Sequence, residues 1–151
     1  MGVHVVLDTN VWVSAFLNPK GHPARLIRNW TEGKFTPVIS IPLLEELADV
    51  LVRPRLIHKY GYTPSDVALY LSLIFSRAHV VPVRDAVSVC RDPKDNVILA
   101  TAANGRALVI VTRDDDLKND PAMHLYAESQ GFRILSVSRF LGEIEGSSSS
   151  P

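Results

Sequence analysis

Val3-His4-Val5-Val6-Leu7-Asp8-Thr9-Asn10-Val11 opens the chain with a short β-rich run that ends on an acid. Such a run predicts a buried strand over residues 3 to 8, and the turn residues after it predict a helix over Asn10 to Leu17. An aspartate at the mouth of a hydrophobic strand loses solvation unless something compensates it. Apart from capping the next helix, nothing in Leu7-Asp8-Thr9-Asn10 calls for an acid. Asp8 is therefore a candidate functional residue, with Thr9 and Asn10 placed to orient it or a water by hydrogen bonding.

The same alternation continues along the chain. Pro23 to Glu32 reads as a helix stopped by Gly33, and Thr36 to Ser40 as a second strand. Leu43, Leu44, Leu47, Val50 and Leu51 recur at steps of three and four, which predicts an amphipathic helix over Pro42 to Val52. A short turn of helix over Arg55 to Tyr60 follows. Thr63-Pro64 is a cap followed by a first-turn proline, opening a helix to Arg77. Val80 to Val83 is the third strand. Asp92-Pro93 repeats the cap signal for a helix to Asn104. Leu108 to Thr112 is the fourth strand, Pro121 to Ser129 a helix, Phe132 to Leu135 the fifth strand and Ser138 to Ile144 the last helix. Strands alternating with helices imply an α/β fold with a mainly parallel sheet. One domain over residues 1–145 and a disordered Gly/Ser tail over 146–151 are expected.

Parallel sheets collect ligand sites at the carboxyl ends of their strands. Asp8 and Asp114 fall there directly. Glu46 lies in the first turns of the helix after the second strand. It borders the buried stripe, with Leu43 and Val50 at contact spacing, and is favoured over Glu45. Asp92 reads as an N-cap and Asp95 sits one turn in, where the helix dipole also favours an acid. In the run Asp114-Asp115-Asp116, Asp114 ranks first and Asp116 second; Asp115 is expected in solvent. Thr112 is placed to donate to a carboxylate or a water. Acids from four segments meeting at one edge repel one another, and a divalent cation is the usual relief. Oxygen ligands suit Mg²⁺ or Mn²⁺, and such an ion acidifies water for attack on a phosphodiester.

Composition narrows the choice. The chain has 151 residues, of which 46% are hydrophobic, enough for a substantial core. No apolar run approaches ~18 residues, so no membrane span is expected. The start lacks the pattern of a secretory signal, and a cytoplasmic protein is expected. One cysteine, Cys90, excludes an internal disulfide and a cysteine-based metal cluster. The five histidines are scattered, which disfavours zinc. Net charge is zero, but residues 1 to 84 carry 9 basic and 6 acidic side chains and the remainder 7 and 10. Arg25, Arg53, Arg55, Lys59 and Arg113 are the candidate phosphate contacts. Trp12, Phe16 and Trp30 read as core or dimer contacts.

Val5-Val6-Leu7-Asp8-Thr9-Asn10-Val11, Leu44-Glu45-Glu46-Leu47, Asp92-Pro93-Lys94-Asp95-Asn96 and Val111-Thr112-Arg113-Asp114 together resemble the PIN-domain ribonucleases, in particular their VapC-like toxin branch. The resemblance covers the chain to about residue 144. It implies a three-layer α/β/α sandwich on a five-stranded parallel sheet and a Mg²⁺- or Mn²⁺-dependent endoribonuclease. The implied acidic quartet is Asp8, Glu46, Asp95 and Asp114, with Asp92 or Asp116 auxiliary and Thr9, Asn10 and Thr112 as polar companions. An RNA substrate, a homodimer and an antitoxin protein covering the acidic groove are implied with it. The stretch from Arg53 to Arg77 is longer than in the smallest toxins. Two rival readings are a haloacid-dehalogenase-type phosphatase, which usually has an aspartate where Asn10 stands, and a non-catalytic RNA-binding module of the same fold.

Overall fold

In the computed structural model, residues 2–84, 87–90, 92–113 and 121–148 are described. The elements run β1 (His4–Leu7), α1 (Thr9–Leu17), α2 (His22–Thr31), β2 (Thr36–Ser40), α3 (Ile41–Leu51), α4 (Pro54–Tyr60), α5 (Pro64–Arg77), β3 (His79–Val81), α6 (Pro93–Asn104), β4 (Val109–Thr112), α7 (Pro121–Gln130), β5 (Arg133–Ser136) and α8 (Val137–Ser148). This is the expected alternation. The five strands form one sheet in the order β3-β2-β1-β4-β5, and every pairing is parallel.

The strand order and the handedness of the crossovers together place the helices. From β1 the chain steps outward to β2 and then β3. It then crosses back through α6 to pair β4 on the other side of β1. Right-handed crossovers therefore put the β1–β2 and β2–β3 helices on one face and α6 and α7 on the other. Helix α8 returns to the first face, packing on α2 as well as on β4 and β5. Buried residues from both faces, with Val5, Val6, Leu7, Val38, Ile39, Ile110 and Val111 at their centre, make one hydrophobic core. The three-layer sandwich is present, and it reverses direction between β1 and β4. In open parallel sheets that reversal opens a crevice at the strands' carboxyl ends.

Most boundaries fall within one residue of expectation, and two ends differ by more. β3 ends at Val81 rather than Val83, because Pro82 has no N–H to continue the ladder. α8 runs to Ser148, so residues 146–148, expected in the tail, are helical.

One close approach fixes how α6 leaves the sheet. A Cβ on Gly105, the C-cap of α6, would lie 2.3 Å from Val38 Cγ1 and 3.2 Å from the Thr101 carbonyl oxygen. Val38 is fully buried in β2, so it has nowhere to turn. Gly105→Ala is expected to destabilise the protein by about 1–3 kcal/mol through overpacking. Thermal denaturation measures this; an unchanged midpoint would mean that α6 and β2 separate freely.

Candidate active site

The crevice at the β1–β4 switch is a pocket of about 420 Å³, within the ~300–1,000 Å³ range of ligand sites. Its walls come from the segments singled out in the sequence. Asp8, Thr9 and Asn10 line it from the end of β1, Glu46 from α3, Asp92 and Asp95 from the start of α6, and Thr112 and Arg113 from the end of β4. Asp114 and Asp116, like Asp115 between them, lie outside the described residues. A second concavity lies against Phe16, Tyr60, Tyr62, Leu69 and Tyr70. Its one carboxylate, Asp66, is used in the capping box of α5, so it gathers no comparable set of donors.

Asp8 is at the N-cap of α1, but among the described residues its side chain makes no capping hydrogen bond. Its Oδ2 accepts from Thr112 Oγ1 at 2.9 Å instead. The backbone N–H of Asp8 donates to the Val111 carbonyl at 2.9 Å. The acid is thus held between two strand ends and turned toward the pocket. Thr9 acts on a different acid from the one expected. Its hydroxyl donates to Glu46 Oε2 at 3.1 Å, which ties α1 to α3. Glu46 is half-buried and lines the pocket, whereas Glu45 is exposed and outside it.

Asp92 is a true N-cap, accepting from the Lys94 backbone N–H at 3.0 Å. Asp95 lies half-buried in the first turn beyond it. Asn96 clasps the segment leading into α6: its Oδ1 accepts from the Cys90 N–H at 2.8 Å and its amide donates to the Cys90 carbonyl at 3.1 Å. Deeper in, Thr101 Oγ1 and Ser40 Oγ lie 2.7 Å apart, both fully buried. That contact fixes α6 against the start of α3, and so Asp95 relative to Glu46.

The basic candidates divide. Arg113 lines the pocket. Arg25 points elsewhere: its Nε donates to Glu145 Oε2 at 2.8 Å. Hydrogen bonds from Asn29 and Arg25 hold the Glu145 carboxyl below its ordinary range. Arg53 pairs with Asp49 at 3.3 Å, and Arg55 and Lys59 are exposed on α4. Three further polar residues line the pocket that the sequence pattern does not single out as site residues: Ser14 of α1, Lys94 of α6 and His124 of α7.

The side chains offered to a cation are carboxylate and hydroxyl oxygens, the donor chemistry of a hard divalent ion. Among the described residues, no group of three or more histidine, cysteine, aspartate or glutamate side chains is drawn together closely enough to hold an ion unaided. Mg²⁺ does not require such a cage: it keeps several waters and is commonly held through one or two carboxylates. By donor type the residues present fit the ion. No helix among the described residues is long and apolar enough to cross a membrane.

Residues 4–116 match the sequence profile of the PIN domain. An uncharacterized protein of Methanocaldococcus jannaschii is 28% identical over 145 residues, covering 95% of this chain and 92% of its own. In fold, the chain matches one from the crystal structure of VapBC2 from Rickettsia felis bound to a DNA fragment from their promoter. That likeness has a TM-score of 0.57 and 14% identity, over 89% of this chain and 98% of the other.

Proposed function

The chain belongs to the PIN domain family, a family of nucleases, and from that membership we propose that it is a divalent-metal-dependent endoribonuclease. The observation that carries this reading is the shared pocket: Asp8, Glu46 and Asp95, distant in sequence, line one crevice at the topological switch point. Asp8, Glu46 and Asp95, completed by Asp114, would hold Mg²⁺ or Mn²⁺. Bound there, such an ion would supply charge stabilisation for the phosphoryl oxygens and would lower the pKa of a water.

The chain's own residues set the geometry for this. Thr112 aims Asp8, Thr9 aims Glu46, and the Ser40–Thr101 contact fixes the helices that carry Glu46 and Asp95. Arg113, at the pocket wall, is suited to a phosphate oxygen through a charge-assisted hydrogen bond. Arg53, Arg55 and Lys59 extend the contact to the RNA backbone. Arg25, turned toward Glu145, is not part of this set. Asn10 lines the pocket and Asp92 caps α6 at its edge, both as supports for the acids.

We assign the enzyme the toxin role in a toxin–antitoxin pair, with a homodimer as its working form and an antitoxin that covers the acidic pocket. The sequence motifs and the fold shared with a chain of the VapBC2 complex support that assignment. The test of the activity is metal-dependent cleavage of single-stranded RNA by the purified protein. Cutting is expected with Mg²⁺ or Mn²⁺ and is expected to stop in excess EDTA. RNA bound but uncut with either ion present would favour a binding module instead.

A further inference from the structure

Lys94 is placed where local chemistry disfavours it. It is the second residue of α6, directly after Pro93, and a helix's first turn carries partial positive charge that favours anions over cations. Asp92 and Asp95, on either side, suit that position; Lys94 does not. Its partner lies across the pocket: Nζ is 3.4 Å from Glu46 Oε1. The other oxygen of Glu46 accepts from Thr9. Both oxygens of this acid are thus engaged by the chain's own groups. The two partners are not equally free to leave. Thr9 is buried, while the Lys94 side chain is 70% exposed on a flexible four-carbon stem.

We propose that Lys94 is a built-in counter-ion that neutralises Glu46 when no divalent cation is bound and is displaced from it when one enters, so that it sets the ion concentration at which the site fills. The proposal rests on the metal reading above. A cation approaching Glu46 must break the Lys94 contact and meets the like charge of the ammonium group. Removing that group relieves both.

The test is Mn²⁺ affinity by calorimetric titration, with no RNA present. Wild type is compared with Lys94→Met, Lys94→Arg, Lys20→Met and Asp8→Asn. Lys20 follows the far end of α1 from Asp8 and is exposed, so Lys20→Met makes the same change in net charge away from the pocket. Exposed ion pairs of this kind are weak, so Lys94→Met is expected to bind Mn²⁺ about two- to fivefold tighter than wild type. Lys20→Met is expected to match wild type, and Lys94→Arg to bind no tighter. The proposal is overturned if Lys94→Met binds no tighter than wild type, or if Lys20→Met tightens binding equally. If wild type itself shows no Mn²⁺ binding that Asp8→Asn removes, the metal reading fails and this inference falls with it.

Discussion

Asp8→Asn is expected to give a folded protein that no longer cuts RNA. The substitution keeps the shape of the side chain and removes its charge. Thr112 Oγ1, 2.9 Å from Asp8 Oδ2, can still donate to the amide oxygen, so the strand ends remain joined. A change of less than about 1 kcal/mol in stability is expected from so conservative a swap at a hydrogen-bonded site. Catalysis responds differently. The several kcal/mol that a divalent ion contributes to a phosphoryl transfer depend on the negative charge that holds it, so a rate loss of at least about a hundredfold is expected. The measurement is single-turnover cleavage of a labelled RNA with saturating Mg²⁺, beside a melting curve of the same preparation. Glu45→Gln, one residue before Glu46 but exposed and outside the pocket, is the matched control and should cleave like wild type. Cleavage by Asp8→Asn at the wild-type rate, after exclusion of contaminating nucleases, would end the proposed mechanism.

Much of this pocket is readable before folding because its acids sit at strand and helix ends, where local pattern and place in the pocket coincide. Asp8 follows a β-rich run, Asp95 lies one turn into a helix with a clear cap, and Glu46 borders an apolar stripe with a period near 3.6. These are short-range signals. The strand order is not: alternation announces a parallel sheet, but β1 in the centre, with β2 and β4 beside it, depends on pairing between distant segments. The charged residues show the same limit. Arg25 resembles any other candidate phosphate contact until the chain folds and brings Glu145 to it, 120 residues away in sequence. Lys94 reads as an ordinary surface charge until α3 and α6 are packed and Glu46 faces it. Thr9 precedes Asn10 and follows Asp8, so proximity suggests Asp8 or a water as its partner; the fold gives its hydroxyl to Glu46 on α3. Contacts made across the fold escape a reading that runs along the chain.

Trp12→Ala is expected to produce a large loss of stability, and it separates fold from chemistry in the opposite sense to Asp8→Asn. Trp12 is fully buried on α1. Its ring meets Trp30 edge-on at 5.6 Å and Tyr70 at 6.4 Å. The Tyr70 hydroxyl donates to the Trp12 carbonyl at 2.8 Å, and burial pushes that hydroxyl's pKa well above its usual range. Truncation opens a cavity lined by two rings that can only partly collapse into it, at a cost of about 3–5 kcal/mol. One effect opposes this. Trp12 Nε1 is buried with no hydrogen-bond partner among the described residues, and deleting an orphaned donor recovers roughly 1–3 kcal/mol of desolvation. The cavity outweighs it, leaving a net loss of about 2 kcal/mol and a melting midpoint lower by roughly 4–8 °C. Leu69→Ala, at a side chain 71% exposed on α5, should shift the midpoint little, by about 0.5 kcal/mol at most. A Trp12→Ala midpoint no lower than that of Leu69→Ala would show that α1 is not anchored by this aromatic cluster. Since α1 starts at Thr9, directly after Asp8, the helix that carries the first pocket residues would then owe its position to something else.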